Sequence, residues 1–380
     1  LVPFVSHPSE WSAEMLFDAA KLTIRIAIDA ATHGVRLKDA AADNILFWNG
    51  KAIFVDALSL ESRPAGAPIW PAADQYIRSF ILPLIAYKDF GLDPSIMLSL
   101  NRQGPTPNNL YPFYSWLGRL SPMVFRYVSL PTWLNHLHNT PKLYEEKKIA
   151  ADKKASFIFQ HLLRRFCKTV DCLQPSNDRK SVWSNYADAN SYTGKMRETK
   201  YNFISKAARN LNNKTALDVG CNTGDYSSLL SSLGASVIAI DTDPVVVGRC
   251  WRRAQAENLS ILPLVLNIAR PTSGSGWRNT EKISFLDRLA GKIDFSIWLA
   301  VLHHIMVTEG IPLTRIIGLI ADITNECAVI EFVPRNDPMF MKIARGREGL
   351  YSWYDQETFE SICSERFEII ESITLAPSKR

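Results

Sequence analysis

Apolar residues recur along this chain with two different periods. Between residues 11 and 33, Met15, Leu16, Leu22, Ile26 and Ala30 return at helical spacing, and His33-Gly34 closes the run. Two β-like runs follow, Asn44 to Trp48 and Ala52 to Val55, joined by an Asn49-Gly50 turn, which predicts a short hairpin. Residues 62–141 are rich in Pro, Trp and Tyr. Helices there should be short, with Asp74 to Ile85 the best, and broken by Pro83, Pro94, Pro105, Pro107 and Pro112. A longer amphipathic helix is expected over 143–170, with Ile149, Ile158, Leu162 and Phe166 on one face. A polar break over 174–180 and a helix near 195–210 come next.

From residue 211 onward the pattern alternates strand and helix. Strands are expected at 215–220, 236–241, 261–267, 293–299 and 327–333, with Pro312 near the start of the helix before the fifth. Gly274-Ser275-Gly276 reads as a loop after the third strand. A helix near 355–364 leads to a sixth expected strand, Phe367 to Leu375. This alternation predicts an α/β, doubly wound parallel sheet, preceded by a mainly helical N-terminal region that contains the hairpin. The expected division is 1–140 for the N-terminal region, 141–210 for a basic helical linker or lid, and 211–380 for the sheet domain.

The junction of the first two strands carries the chemistry. Leu217-Asp218-Val219-Gly220-Cys221-Asn222-Thr223-Gly224-Asp225-Tyr226 reads as a buried strand, a glycine-bearing turn and the start of a helix. Asp241 ends the next strand, Ser236-Val237-Ile238-Ala239-Ile240, with Thr242 beside it. Such a Rossmann-like crossing binds a nucleoside: glycines let backbone N–H groups approach the ligand, and a strand-end carboxylate accepts the ribose hydroxyls. A dinucleotide site wants G-x-G-x-x-G, but counting from Gly220 this chain has Asn222 and Asp225 where the later glycines belong. A phosphate-free cofactor demands less there. Asp218, Gly220 and Gly224 in D-x-G-x-x-x-G resemble motif I of class I methyltransferases, whose cofactor is S-adenosylmethionine (SAM). Asn267 is then placed to bond the adenine edge, Ile268 to pack on the base, and Asp218 to orient the turn. Asp243, with Pro244 after it, is the expected cap of the following helix.

Methyl transfer is an in-line displacement that needs no metal, so the protein mainly orients the acceptor and helps remove its proton. His303 and His304 follow the fourth strand, and a neutral imidazole suits a general base. At most one of two adjacent side chains should face the reaction. Glu331 ends the fifth strand, placed to bind a polar group of the substrate or to hold a histidine; its alternative is a buried acid paired with an arginine. Arg335, Arg345 and Arg347 follow it and could grip an anionic acceptor. Trp183, Tyr186 and Tyr192 precede the sheet domain, and Tyr186 and Tyr192 are expected to cover the cofactor, with aromatic faces toward its sulfonium.

Composition adjusts this picture only at the edges. The chain has 380 residues and a formal net charge of +5. Residues 141–210 hold 15 basic and seven acidic residues, so the excess lies outside the sheet domain. That keeps an RNA acceptor as an alternative, provided the segment forms a stripe. Six cysteines without a C-x-x-C pair read as free thiols in a reducing cytoplasm. No apolar run is long enough for a membrane span. The chain opens on Leu1 and leaves little room for a seventh strand before Arg380, so trimming at both ends is expected. A small-molecule acceptor is the expected partner.

Nearly the whole chain resembles a bacterial family of SAM-dependent methyltransferases that includes the nodulation-associated NoeA-like proteins. The matching stretches are His7-Pro8-Ser9-Glu10-Trp11, Leu37-Lys38-Asp39-Ala40 with Asn44, Phe54-Val55-Asp56, Asp218 to Tyr226, Ile261 to Val265, Ala300 to His304, and Ile330 to Val333 with Asp337-Pro338-Met339. The resemblance implies a class I methyltransferase domain with an attached N-terminal region and no defined substrate. Asn267 departs from it, since such proteins commonly carry Asp there. Residues 34–56 also resemble the catalytic loop of kinases: Asp39, Asn44 and Asp56 stand where a base and two magnesium ligands would. That makes an ATP- and magnesium-binding module, or a kinase-like remnant without activity, a further alternative. No Gly-rich phosphate loop precedes it, and Ala57-Leu58 follows Asp56 in place of Phe-Gly.

Overall fold

The computed structural model describes residues 2–137, 148–181 and 194–375, and the chain divides into two compact units, Leu1–Asp178 and Arg179–Arg380. In the first unit, helix α1 (Ala13–Thr32) starts on Ser12, whose hydroxyl caps the Met15 N–H. Strand β1 (Val35–Leu37) pairs with β4 (Leu60–Ser62), and β2 (Ile45–Trp48) with β3 (Lys51–Phe54), both antiparallel. Asn49 and Gly50, with φ of 48° and 67°, make the expected two-residue hairpin turn.

Pro83 does not break its helix. Ala73–Phe90 is one helical stretch in which a π segment, Ile77–Ile81, leads into α2 (Leu82–Phe90). The Leu82 N–H reaches back to the Ile77 carbonyl, so the wider turn is complete just before the proline, whose missing N–H falls in the first turn that follows. The same device recurs before Pro131, where the π segment Phe125–Ser129 precedes the helix Leu130–Leu137.

Helix α3 (Asp152–Asp171) packs on α1. Its buried face is Ala155, Phe159, Leu163, Phe166 and Val170, whereas Ile158 is 37% exposed. The expected face, Ile158 and Leu162 with Phe166, lies one position off: the run Phe157-Ile158-Phe159 and the pair Leu162-Leu163 offer two helical registers, and packing selects the later one. Phe166 meets Trp70 and Tyr76 at ring separations of 5.6 and 5.7 Å. The Trp70 indole donates to the Leu37 carbonyl and the Tyr76 hydroxyl to the Ala20 carbonyl, so this aromatic core leaves neither polar tip unmade.

In the second unit, helix α4 (Gly194–Ala207) precedes the sheet. Its strands are β5 (Thr215–Val219), β6 (Ser236–Asp241), β7 (Ile261–Val265), β8 (Ile293–Trp298) and β9 (Thr324–Ile330), all parallel, in the order β7-β6-β5-β8-β9. Helices α5 (Asp225–Ser232) and α6 (Pro244–Ala256) follow β5 and β6; α7 (Leu302–Val307) and α8 (Leu313–Ile323) lie between β8 and β9. Two more, α9 (Pro338–Ala344) and α10 (Gln356–Ser364), come after β9. The progression reverses between β5 and β8, which places the switch point of this doubly wound sheet at the carboxyl end of β5. The sixth strand is not formed. Phe367, Ile369, Ile373 and Leu375 would share a face, but Glu371 interrupts it and pairs with Lys206, and Ile370 stays 84% exposed.

Candidate functional site

The buried strand β5 delivers its chain into a turn that only special residues can make. Gly220 has φ of 77° and Gly224 of 84°, and Asn222 between them takes the left-handed region at 48°. The Gly220 and Cys221 N–H groups both donate to the Ile240 carbonyl, at 2.8 and 3.1 Å, so the turn is stitched to the end of β6. A side chain on Gly220 would place its Cβ 2.3 Å from Val301 Cγ2, and one on Gly224 would lie 2.5 Å from Cys250 Sγ. Both glycines are therefore required by space as well as by backbone angle.

Asp241 faces this turn. Its Oδ2 accepts the Asn222 N–H at 2.9 Å and its Oδ1 the Asp243 N–H at 3.0 Å. A carboxylate has about four acceptor sites, more than these N–H groups and that of Thr242 use. Burial pushes the carboxyl up to about 6, against those backbone hydrogen bonds, so it is mostly ionised at neutral pH. Asp243 caps α6 through the Val245 N–H, as its place before Pro244 predicts, and Thr242 is exposed. Asp218 is buried and accepts the Ser227 hydroxyl at 2.5 Å, which ties β5 to α5; desolvation raises it to about 7. Asn267 spends its carbonyl on the Ala269 N–H and its amide on Glu309, at 2.9 and 2.8 Å. Ile268 beside it is buried.

The two histidines have different surroundings. His303 is 2% exposed and stacks on Phe340 at a ring separation of 6.2 Å. His304 is partly buried; desolvation lowers its pKa, opposed by Asp337, so its imidazole is neutral at pH 7. Ala300, just before this segment, has φ of 53°, a strained value for a residue with a Cβ, where β8 turns into α7. Glu331 is buried against Lys200 of α4, with 2.7 Å between charges. The Lys200 ammonium also lies 5.4 Å over the Tyr226 ring, and burial followed by Glu331 raises the Tyr226 hydroxyl well above its usual range.

Arg335, Arg345 and Arg347 are exposed. Tyr186 and Tyr192, with Trp183, lie outside the described residues. Lys200 also belongs to this end of the sheet, and nothing local in the sequence marks its burial or the positive φ of Ala300, because both are imposed from elsewhere in the fold. In the first unit, the Lys38 N–H donates to Ser59 and the Val55 N–H to Asn44, which draws together the segments that carry Asp39, Asn44 and Asp56. Asp39 accepts the Ala41 N–H and Asp56 the Leu58 N–H and Ser59 hydroxyl, as turn-forming residues do. No group of three or more His, Cys, Asp or Glu among the described residues could hold a metal ion, and no described helix is long and apolar enough to cross a membrane.

The residues fit SAM: a glycine turn, a strand-end carboxylate and a buried apolar side chain succeed one another along the carboxyl ends of β5, β6 and β7. A methyltransferase-domain family profile matches residues 217–311. Over the whole chain the sequence is 26% identical to nodulation protein NoeA of Rhizobium meliloti, of which it spans 79%. It is 29% identical over 148 residues to the O-antigen chain terminator bifunctional methyltransferase/kinase WbdD of Escherichia coli, and spans only 19% of that protein. A solved magnesium protoporphyrin IX methyltransferase from Synechocystis, with bound S-adenosylhomocysteine (SAH), aligns with 48% of the chain and 81% of its own at 18% identity, with a TM-score of 0.33. The second unit thus contains a class I, SAM-dependent methyltransferase domain, in a chain distantly homologous to NoeA along its full length.

Proposed function

We propose that the second unit moves the SAM methyl group to an oxygen or nitrogen of a small or medium polar acceptor, in the cytoplasm, with Asp241 holding the ribose and His304 taking the acceptor proton. The observation that carries this reading is the Asp241 carboxylate, fixed by two backbone N–H groups at the mouth of the Gly220–Gly224 turn. SAM supplies an activated methyl on a sulfonium. The protein supplies orientation: the glycine turn, with its N–H groups bonded within the fold, leaves room for the nucleoside, Asp241 holds the ribose, and Ile268 offers the base an apolar floor. Such fixing of reactants can account for up to about 7–11 kcal/mol of a barrier.

His304 is the better base of the two because its ring is partly accessible and neutral, whereas His303 packs on Phe340. Substitution separates them. His304→Ala should lower turnover by about 10²–10⁴-fold with SAM affinity unchanged. His303→Ala should act mainly on stability, read by thermal melting. Unchanged turnover in His304→Ala with loss in a folded His303→Ala would reverse the roles; no change in either removes the base.

The raised Asp241 carboxyl sets a pH dependence. Ribose hydroxyls donate to the ionised form, so binding favours deprotonation. SAM affinity should be flat above about pH 7 and fall as pH drops through about 6, the value at which Asp241 gains its proton. Calorimetric titration across pH 5–8 reads this directly. The acceptor class is tested by incubating the protein and labelled SAM with small-molecule extract or with RNA. Label in the small-molecule fraction is the predicted result. Label in RNA, with binding that falls steeply with salt, would transfer the assignment to a nucleic-acid acceptor.

A further inference from the structure

The sheet order gives the cofactor a direction. The strand order is β7-β6-β5-β8-β9, so a ribose at Asp241 on β6 and a base toward Ile268 after β7 would leave the other end of the molecule on the β5 side, toward β8 and β9. That end is an amino acid with a carboxylate. The charged side chains nearest the turn are mostly acids: Asp218, Asp225, Asp241 and Asp243. The buried cations of the second unit, among the described residues, are Lys200 and Arg288. Arg288 belongs to the short helix Phe285–Leu289, which precedes β8 and so lies toward the amino ends of the strands. Lys200 is at the carboxyl ends: its ammonium lies 2.7 Å from Glu331, which directly follows β9, and 5.4 Å over Tyr226, the second residue of the helix that the glycine turn opens. It is also close enough to Asp218 to act on that carboxyl electrostatically.

From this juxtaposition, and resting on the cofactor reading above, we infer that Lys200 is a cofactor-specificity residue: its ammonium receives the α-carboxylate of the SAM amino-acid arm, while Glu331 holds it in place. An ammonium has three donors, so one hydrogen bond to Glu331 is compatible with another to the ligand. Glu331 is then a positioning residue that acts through Lys200 and not on the acceptor. The arrangement distinguishes ligands that keep the amino-acid arm from the nucleoside thioether alone.

The test is a set of titrations on the full chain. The ligands are SAH, the neutral methyl ester of its carboxyl, and 5′-methylthioadenosine, which lacks the arm. In the unaltered protein the ester should bind about 10–100-fold more weakly than SAH, the loss of one charge-assisted contact. Equal affinity would overturn the inference. Lys200→Met should lose the same factor for SAH, keep its affinity for methylthioadenosine and no longer distinguish ester from acid; Lys200→Arg should restore much of the preference. A Lys200→Met protein that loses both ligands equally would show a purely structural role and also overturn it. Because this variant removes the ammonium beside Glu331 and can fail to fold, the ester comparison in the unaltered protein can still overturn the inference by itself, and the charge-keeping Lys200→Arg assigns the preference to this position. Methylthioadenosine binding that is lost in Asp241→Ala marks a sound cofactor reading even if Lys200 proves irrelevant. Absence of binding by all three ligands removes the cofactor reading and this inference with it.

Discussion

Asp241→Ala should weaken SAH binding by about 100-fold or more while the protein still folds. Two hydrogen bonds from ribose hydroxyls to a charged acceptor contribute about 1.5–3 kcal/mol each, and each 1.4 kcal/mol is a factor of ten in affinity. The substitution also frees the Asn222 and Asp243 N–H groups, which Asp241 now satisfies. Some of the loss therefore comes from a loosened turn. Asp241→Asn separates the two contributions: it keeps the shape and one acceptor oxygen but removes the charge. Asp243→Ala is the control. It removes the cap from α6 and should cost about 1 kcal/mol of stability, with binding nearly unchanged. Calorimetry for affinity and thermal melting for stability give both quantities on each variant. Unchanged affinity in folded Asp241→Ala would exclude the carboxylate from the site.

Gly220→Ala should be damaging for a different reason. An alanine at φ of 77° costs about 1–2 kcal/mol in backbone strain, and its Cβ would sit 2.3 Å from Val301 Cγ2. Forcing a methyl into such a contact typically adds about 1–3 kcal/mol. The sum is a large part of a domain's net stability. Melting should fall by several degrees and SAH binding should be lost, because any relief moves the turn. Gly220→Ala with Val301→Ala removes the clash and leaves the strain, so it should recover part of the stability. Recovery of all of it would mean that the backbone angle costs nothing. No effect of Gly220→Ala alone would mean that the turn is not held as described.

The sheet unit was legible in advance because its information is local. A strand buried on both faces reads as a short apolar run, and a turn that needs positive φ announces itself in Gly220 and Gly224. Asp241 stood out because it ends such a run. The features silent in the sequence depend on partners distant in it. Nothing in the helix Gly194–Ala207 marks Lys200 as buried; its burial follows from Glu331, 131 residues later. Ala300 at φ of 53° is equally silent, since alanine ordinarily avoids that region. The face of α3 was one residue off because two adjacent apolar registers compete and only packing on α1 chooses between them. Pro83 was expected to end a helix because a proline removes one hydrogen bond; the π turn before it makes that bond unnecessary. The last expected strand carries Glu371 in the middle of its apolar face, paired with Lys206, and Ile369 and Ile373 beside it stay exposed.

The central claim is that the cofactor nucleoside lies across the carboxyl ends of β5 and β6 with its sugar on Asp241. A crystal structure of the chain with SAH tests it most directly. The predicted result is density over the Gly220–Gly224 turn, with both ribose hydroxyls within hydrogen-bond distance of the Asp241 carboxylate. A ribose bound elsewhere, with Asp241 turned away from it, would contradict the account.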